Sequence, residues 1–405
     1  MTRVGSLRDV VEKSTGTRNP AVQPDDEFTY VDVSAIDTQQ KIINGARLLL
    51  GTEAPSRARK LLRANDVLVS TVRPNLNAVA LVPSELDGQV GSTGFCVLRA
   101  VPSLVLPEYL FYFVRSQRFM DALAGLVAGA LYPAVTDSQV LDQELPLPSL
   151  SEQRRMVDLL SRAEGIVRLR RQAQQKAAAL IPAIFVDMFG DPATNPKGLD
   201  VVALGDVLAG ADYGSSAKAG DEEIGLPMIR MGNVDYRGNV DLAALKYVDL
   251  PPDDVARFGL KGGDILFNRT NSKELVGKTG LWIGDREAIL ASYFIRLRVD
   301  ERLARPFFVW AFMNTPHMKR VLFETARGAI GQANINSREL RAFRIPLPAL
   351  DVQVRFEARC RDVLALRVQQ DQATAKAEAA FQALLAKAFA SDDPSRLQAV
   401  EPAPA

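Results

Sequence analysis

Two cysteines, one histidine and two tryptophans are all that 405 residues contain of those types. Cys96 and Cys360 are too few for a disulfide framework or a thiolate zinc site, and they fit a reducing, cytoplasmic setting. His317 is the one candidate base for Ser–His–Asp chemistry, and it follows Pro316 in an ordinary helix or turn context. No apolar run reaches the roughly 18 residues that span a bilayer, so no membrane association is expected. The first residues, Met1-Thr2-Arg3-Val4-Gly5, lack a signal-peptide core. A strong charge of either sign is missing too, with a net charge of +1. A surface for a polyanion would therefore have to be local.

Catalytic signatures are equally scarce. An Asp/Asn-Pro-Pro-aromatic tetrad and a Gly-rich cofactor loop, which a nucleic-acid methyltransferase would carry, are both absent. Asp264 followed by Ser272-Lys273-Glu274 has the wrong order for a paired-carboxylate nuclease. Ser272–Thr279 ends like a phosphate-binding loop, with Lys278-Thr279, but Ser272 stands where that loop needs glycine and a strand reads on after it. An NTPase using Lys278 is thus a weak reading, and no catalytic constellation emerges.

What the chain does contain is a repeat. Pro146-Leu147-Pro148-Ser149-Leu150-Ser151-Glu152-Gln153-Arg154-Arg155 returns as Pro346-Leu347-Pro348-Ala349-Leu350-Asp351-Val352-Gln353-Val354-Arg355. At the same offset Gln172, Lys176 and Phe189 recur as Gln372, Lys376 and Phe389. Repeats at a fixed offset decide architecture before local propensity does. Both stretches read as long helices. In the first, apolar or small residues fall at 156, 159, 163, 166, 173, 177, 180 and 184; in the second at 356, 363, 366, 373, 377, 380 and 384. This is the spacing of a coiled-coil seam. Pro182 predicts a kink, and Gly190–Gly198 reads as a stop and linker.

The segments preceding the helices repeat one order of elements. Val31–Ile36 and Ile229–Asp235 read as strands, as do Asp66–Ser70 and Asp264–Phe267. Pro107 opens a helix expected to run to about Ala124, echoed by Arg305–Trp310. The fold class expected is α+β: two pseudo-symmetric α/β domains separated by two long antiparallel coiled-coil helices. The boundaries are 1–149, 150–190, 191–349, 350–391 and a disordered tail 392–405. At 1.5 Å per residue each helix is a rod of roughly 60 Å, a ruler with a similar, non-identical head at either end.

Loops dense in Arg, Asn, Ser and Thr follow the paired strands: Arg73, Asn75 and Asn77 in the first copy, and Arg269, Asn271, Ser272 and Lys273 in the second. Arg pairs bidentately with guanine and Asn with adenine, and all of these hold phosphates. A polar surface turn is the plain alternative for either loop alone; its recurrence in both copies favours contact with DNA. Arg57, Arg59 and Lys60 form a basic cluster suited to a phosphate backbone or to a solvated helix face. Arg230 and Asn233, Lys278, and the turn containing Gln332, Asn334 and Asn336 complete the candidate DNA-binding set. The stretch 150–190 carries 7 Lys/Arg against 4 Asp/Glu, with Arg154, Arg155, Arg162, Arg168 and Arg171 free for a protein partner or DNA.

The repeat, Gly263–Arg269, Gln332–Asn336 and Ile345–Gln353 together resemble the DNA specificity subunit of Type I restriction–modification systems, over nearly the whole chain. No single motif is diagnostic; order and duplication carry the likeness. The resemblance implies a non-catalytic subunit in which each variable segment is a target recognition domain reading half of a bipartite site in double-stranded DNA. It implies docking of two methyltransferase subunits, and through them nuclease/translocase subunits. Gln153, Arg155, Gln353 and Arg355 of the repeated frame are the docking candidates. S-adenosylmethionine, ATP and Mg belong to those partners, with no cofactor on this chain. The first copy departs from the pattern, with Leu131–Thr136 where the polar turn is expected. Competing readings are a coiled-coil scaffold whose heads bind proteins, and the recognition subunit of a related phage-defence methylation system.

Overall fold

The structure is a computed structural model that describes residues 3–127, 133–284, 286–329 and 332–390, with only the backbone of residues 3, 327–329 and 332. The expected tail 392–405, and Leu131 and Tyr132 of the first-copy turn, lie outside the described residues. Strands and helices mix as the α+β expectation requires. The chain forms two compact units that cut across its linear order: residues 1–171 with the chain from Gln372 onward, and residues 172–371. Both long helices, Leu150–Phe189 and Leu350–Phe389, therefore contribute one half to each unit.

In the first unit, strand Arg3–Ser6 pairs antiparallel with Glu144–Leu147, which closes the head where the central helix begins. Strand Val67–Ser70 lies between Phe95–Leu98 and Val79–Leu81 in an antiparallel sheet. Its side chains alternate between two cores, because successive residues of a strand face opposite ways. Val67 and Val69 join Tyr109, Phe113 and Phe119 of the helices Pro107–Phe113 and Gln117–Leu126. Leu68 faces Ala80 and Phe95 in the other core. A second sheet, ordered 47–50, 27–31, 90–92, 58–61, contains the parallel pair Tyr30–Val90. Met156, Leu160 and Val167 from the central helix, with Phe381, Leu385 and Phe389 from the distal one, complete the larger core.

The second unit repeats each step. Asp200–Ala203 pairs with Arg344–Leu347. Ile265–Asn268 is flanked by Thr279–Leu281 and Phe294–Val299, and Leu226–Ile229 runs parallel to Ile289–Leu290. Ile265 and Phe267 face the helical core while Leu266 faces the opposite one. Phe185 stacks on Phe308 with ring centroids 5.8 Å apart, and Phe189 meets Phe356 edge-on at 5.1 Å. In this unit the helices run antiparallel: Gln174 bonds to Asp371, while Phe185 and Phe189, further along, reach back to Phe356.

Three local expectations are corrected. Val31–Ile36 and Ile229–Asp235 are not continuous strands. Each strand ends at its first residue, because a side chain captures the local backbone: Asp32 accepts from the Val33 N–H and Asn233 from the Arg230 N–H. The helix from Pro107 stops at Phe113, and Ser116 caps a second helix by accepting from the Phe119 N–H. The seam is met in part: Met156, Ala177, Phe356 and Val363 are buried as expected. Ile166, Leu180 and Leu366 are exposed, whereas Leu160, Val167, Ile181, Phe185 and Phe189 are buried. Counting apolar residues misplaced part of the seam because it is polar midway, where Arg171 bonds Glu378 at 2.8 Å.

The central helix continues through Pro182 and ends at Gly190, whose φ of 83° is a left-handed cap. The Lys197 ammonium then donates to the carbonyls of Asp187 and Met188.

Candidate nucleic-acid interface

In the second unit, strand Ile265–Asn268 delivers the chain to an edge. Asn268 is buried; its amide donates to the carbonyls of Thr270 and Tyr293, and its oxygen accepts from the Asn271 amide. This fixes the turn, from which Thr270–Asn271 pairs with Gln332–Asn334 in a ribbon completed by Arg327–Ala329. The Thr270 hydroxyl bonds Asn334 at 3.3 Å. Arg269 lies with its guanidinium 4.9 Å over the Tyr213 ring, and its Nε has no protein partner. A stacked, pre-oriented guanidinium loses little freedom on meeting a planar acceptor pair. Lys273 lies 4.6 Å over the Phe323 ring. Arg269, Ser272, Lys273 and Asn334 are thus gathered on one edge, while Asn271 is spent on the turn, its amide donating to Asn268 and its oxygen accepting from the Ser272 N–H.

Other candidates are committed elsewhere. Asn336 is exposed, yet its side chain caps the helix Ser337–Arg341 by accepting from the Glu339 N–H. Asn233 is buried and donates to the carbonyls of Asp241 and Ala244. Lys278 donates to the Met231 carbonyl, and burial lowers its pKa against the opposing pull of Asp235. Asn233 and Lys278 are framework residues, and with no helix following Lys278 the phosphate-loop reading fails. Arg230 is half-buried with an unpartnered Nε. The side chain of Gln332 lies outside the described residues.

The first unit divides its basic cluster. Ala58–Leu61 is a strand, not a helix, so neighbouring side chains face apart. Arg57 is exposed, Arg59 donates to the Ala58 carbonyl, and Lys60 pairs with Asp137 at 2.6 Å. Arg73 and Asn75 are exposed on the loop after Val67–Ser70, Arg73 with a left-handed φ of 49°. Asn77 is buried; it donates to the Val114 carbonyl and accepts from the Lys41 ammonium. Burial, with Arg115 adding to it and Asp37 opposing, pushes the Lys41 pKa down to about 8. Asn77 therefore anchors the loop rather than facing solvent.

Gln153 and Gln353 are fully buried and spent on backbone bonds, which removes them from any docking surface. Arg155 and Arg355 are exposed, the latter paired with Asp351 at 3.2 Å. Sequence reasoning missed Tyr213 and Phe323. Nothing in the local sequence ties either ring to the cation it supports, because both come from elements distant along the chain. Among the described residues no cluster of His, Cys, Asp or Glu could hold a metal ion, and no helix is long and apolar enough to cross a membrane.

A family model described as Type I restriction modification DNA specificity domain matches residues 3–178 and 196–357. The putative type I restriction enzyme MjaX specificity subunit of Methanocaldococcus jannaschii is 31% identical over 160 residues, 39% of this chain and 37% of that protein. The type I restriction enzyme EcoKI specificity subunit of Escherichia coli is 22% identical over 327 residues, covering 76% of this chain and 70% of that protein. A solved structure described in terms of complex assembly and conformational transition of the type I R-M system is 30% identical, with a TM-score of 0.62 over 96% of this chain and 98% of that one.

Proposed function

This chain belongs to the Type I restriction modification DNA specificity family, and we propose on that footing that each of its units reads one half of a bipartite, gapped DNA target. The observation that carries the reading is one backbone frame displaying two sets of side chains. In the second unit Arg269 donates from its N–H to Tyr293 and accepts from Ile335; in the first Thr71 does the same with Gly94 and Val135. The next residues pair as Thr270 with Asn334 and Val72 with Ala134. A repeated scaffold with a changed reading edge suits an asymmetric target, since base edges are told apart by donor, acceptor and methyl pattern.

The chain supplies recognition, and chemistry falls to partners. Two methyltransferase subunits dock on it, bringing S-adenosylmethionine, and nuclease/translocase subunits using ATP and Mg join through them. Exposed Arg154, Arg155 and Arg168 of the central helix offer charge to such a partner or to DNA between the half-targets.

Methylome sequencing of a host expressing this chain with its methyltransferase subunit tests the reading. A bipartite methylated motif interrupted by unread positions is expected. A continuous motif, or none from an assembled complex, would sink it. Replacing residues 197–349 with the matching segment of a relative is expected to change one half of the motif and leave the other.

A further inference from the structure

The slot that carries Arg269, Thr270 and Asn334 in the second unit is apolar in the first. There Thr71 is buried, Val72 is 40% exposed and Ala134, its bridge partner, is exposed. Leu76, in the same loop, is 52% exposed. Residues paired across a bridge bring their Cβ atoms within about 5.5 Å, so Val72 and Ala134 offer one continuous apolar spot. The preceding strand residues, Val67–Ser70, are all buried. The loop thus turns its apolar side chains outward only after leaving the core.

The loop that carries the spot is held in place. The Arg73 N–H donates to the Pro133 carbonyl, and Asn77 is locked between Val114 and Lys41. Exposed Arg73 and Asn75 frame it with groups suited to phosphate. The major-groove edge of DNA has one apolar feature, the C5-methyl group of thymine. An apolar spot on a reading edge, where the sister unit displays hydrogen-bonding groups, matches that feature.

We infer that the first unit reads a thymine of its half-target through the C5-methyl group, packed on Val72 and Ala134. The inference rests on the DNA-reading function proposed above and names the chemistry by which one of the two units carries it out. Val72 is then a specificity-determining residue, and the two halves of the target are read by unlike means: hydrogen bonds in the second, methyl contact in the first.

The test uses the complex of the full chain with its methyltransferase subunits and duplexes in which single thymines are replaced by deoxyuridine, which removes the methyl group alone. The first unit's half is the one left unchanged when residues 197–349 are swapped. Deoxyuridine at one position there is expected to weaken binding about 4-fold, the effect of losing one buried methyl. Val72→Ala should weaken binding to the thymine duplex and abolish the difference between the two duplexes, while selectivity for the second half persists. If cognate duplex outcompetes scrambled duplex yet no deoxyuridine in the first half alters affinity, the methyl contact is wrong and DNA reading stands. If cognate and scrambled duplexes bind alike, the DNA-reading function fails, and the methyl contact with it.

Discussion

The side-chain oxygen of Gln353 accepts a hydrogen bond from the backbone N–H of Arg305 at 2.8 Å, tying the distal helix to the start of the helix Pro306–Met313. Its amide donates to the Pro348 carbonyl. Gln153 repeats the arrangement on Leu106 and Pro148, with a further bond to Leu104. The glutamine kept in both repeats is therefore a clamp between helix and head within one unit.

Gln353→Leu should keep the shape but strand a half-buried N–H and a buried carbonyl. A loss of about 1–3 kcal/mol is expected, the desolvation penalty of a polar group left unpaired. Urea unfolding followed by circular dichroism reads it directly; an unchanged midpoint would show that the clamp contributes nothing.

Asp66 and Arg99 form a buried bidentate pair at 2.7–2.8 Å, placed where strands Val67–Ser70 and Phe95–Leu98 begin and end. Breaking one partner of such a pair leaves an uncompensated charge and costs about 3–5 kcal/mol. Arg99→Leu is expected to lower the melting temperature sharply. The double variant Asp66→Leu with Arg99→Leu should recover much of the loss, a pattern that simple loss of packing would not produce.

Lys319 is buried in the second unit, its ammonium bonded to the Gly277 carbonyl and 4.8 Å from the Tyr236 ring. Burial lowers its pKa to about 7, with Asp235 opposing. The unfolded chain, with a lysine pKa of about 10.4, binds more protons between these values, so this group's contribution to stability rises as pH climbs from about 7 toward 10. Lys319→Met should flatten that rise. Parallel slopes for variant and parent over this range would remove Lys319 as its source.

Arg269→Ala should relax selectivity at one position of the second half-target and cost about 1–3 kcal/mol in binding to the cognate duplex. Tyr213→Leu removes the ring beneath the guanidinium and is expected to act in the same direction, more weakly. Competition binding against single-position variants distinguishes these outcomes from a uniform loss. A uniform loss would mark Arg269 as a phosphate contact.

The candidate edge was half legible. Arg269 and Lys273 stood out because polar loop residues recurred after paired strands, a signal that needs no long-range contact. Asn77, Asn233 and Lys278 carried the same chemistry and were misplaced, because a side chain's hydrogen-bonding capacity does not say whether it is spent inside the protein. Gln153 and Gln353 failed for that reason too.

Sequence by itself determined the duplication, the two long helices and the α+β character of the heads. Each is written in local order and period, which a chain carries whether folded or not. Tertiary structure alone decided which apolar residues of the long helices are buried between them, since the stripe passes through Arg171 and Glu378. It also decided which Asn and Lys side chains face outward, and that Tyr213 lies beneath Arg269. Those outcomes depend on backbone groups and rings brought together from distant parts of the chain, and their pairing energies exist only once the fold has formed.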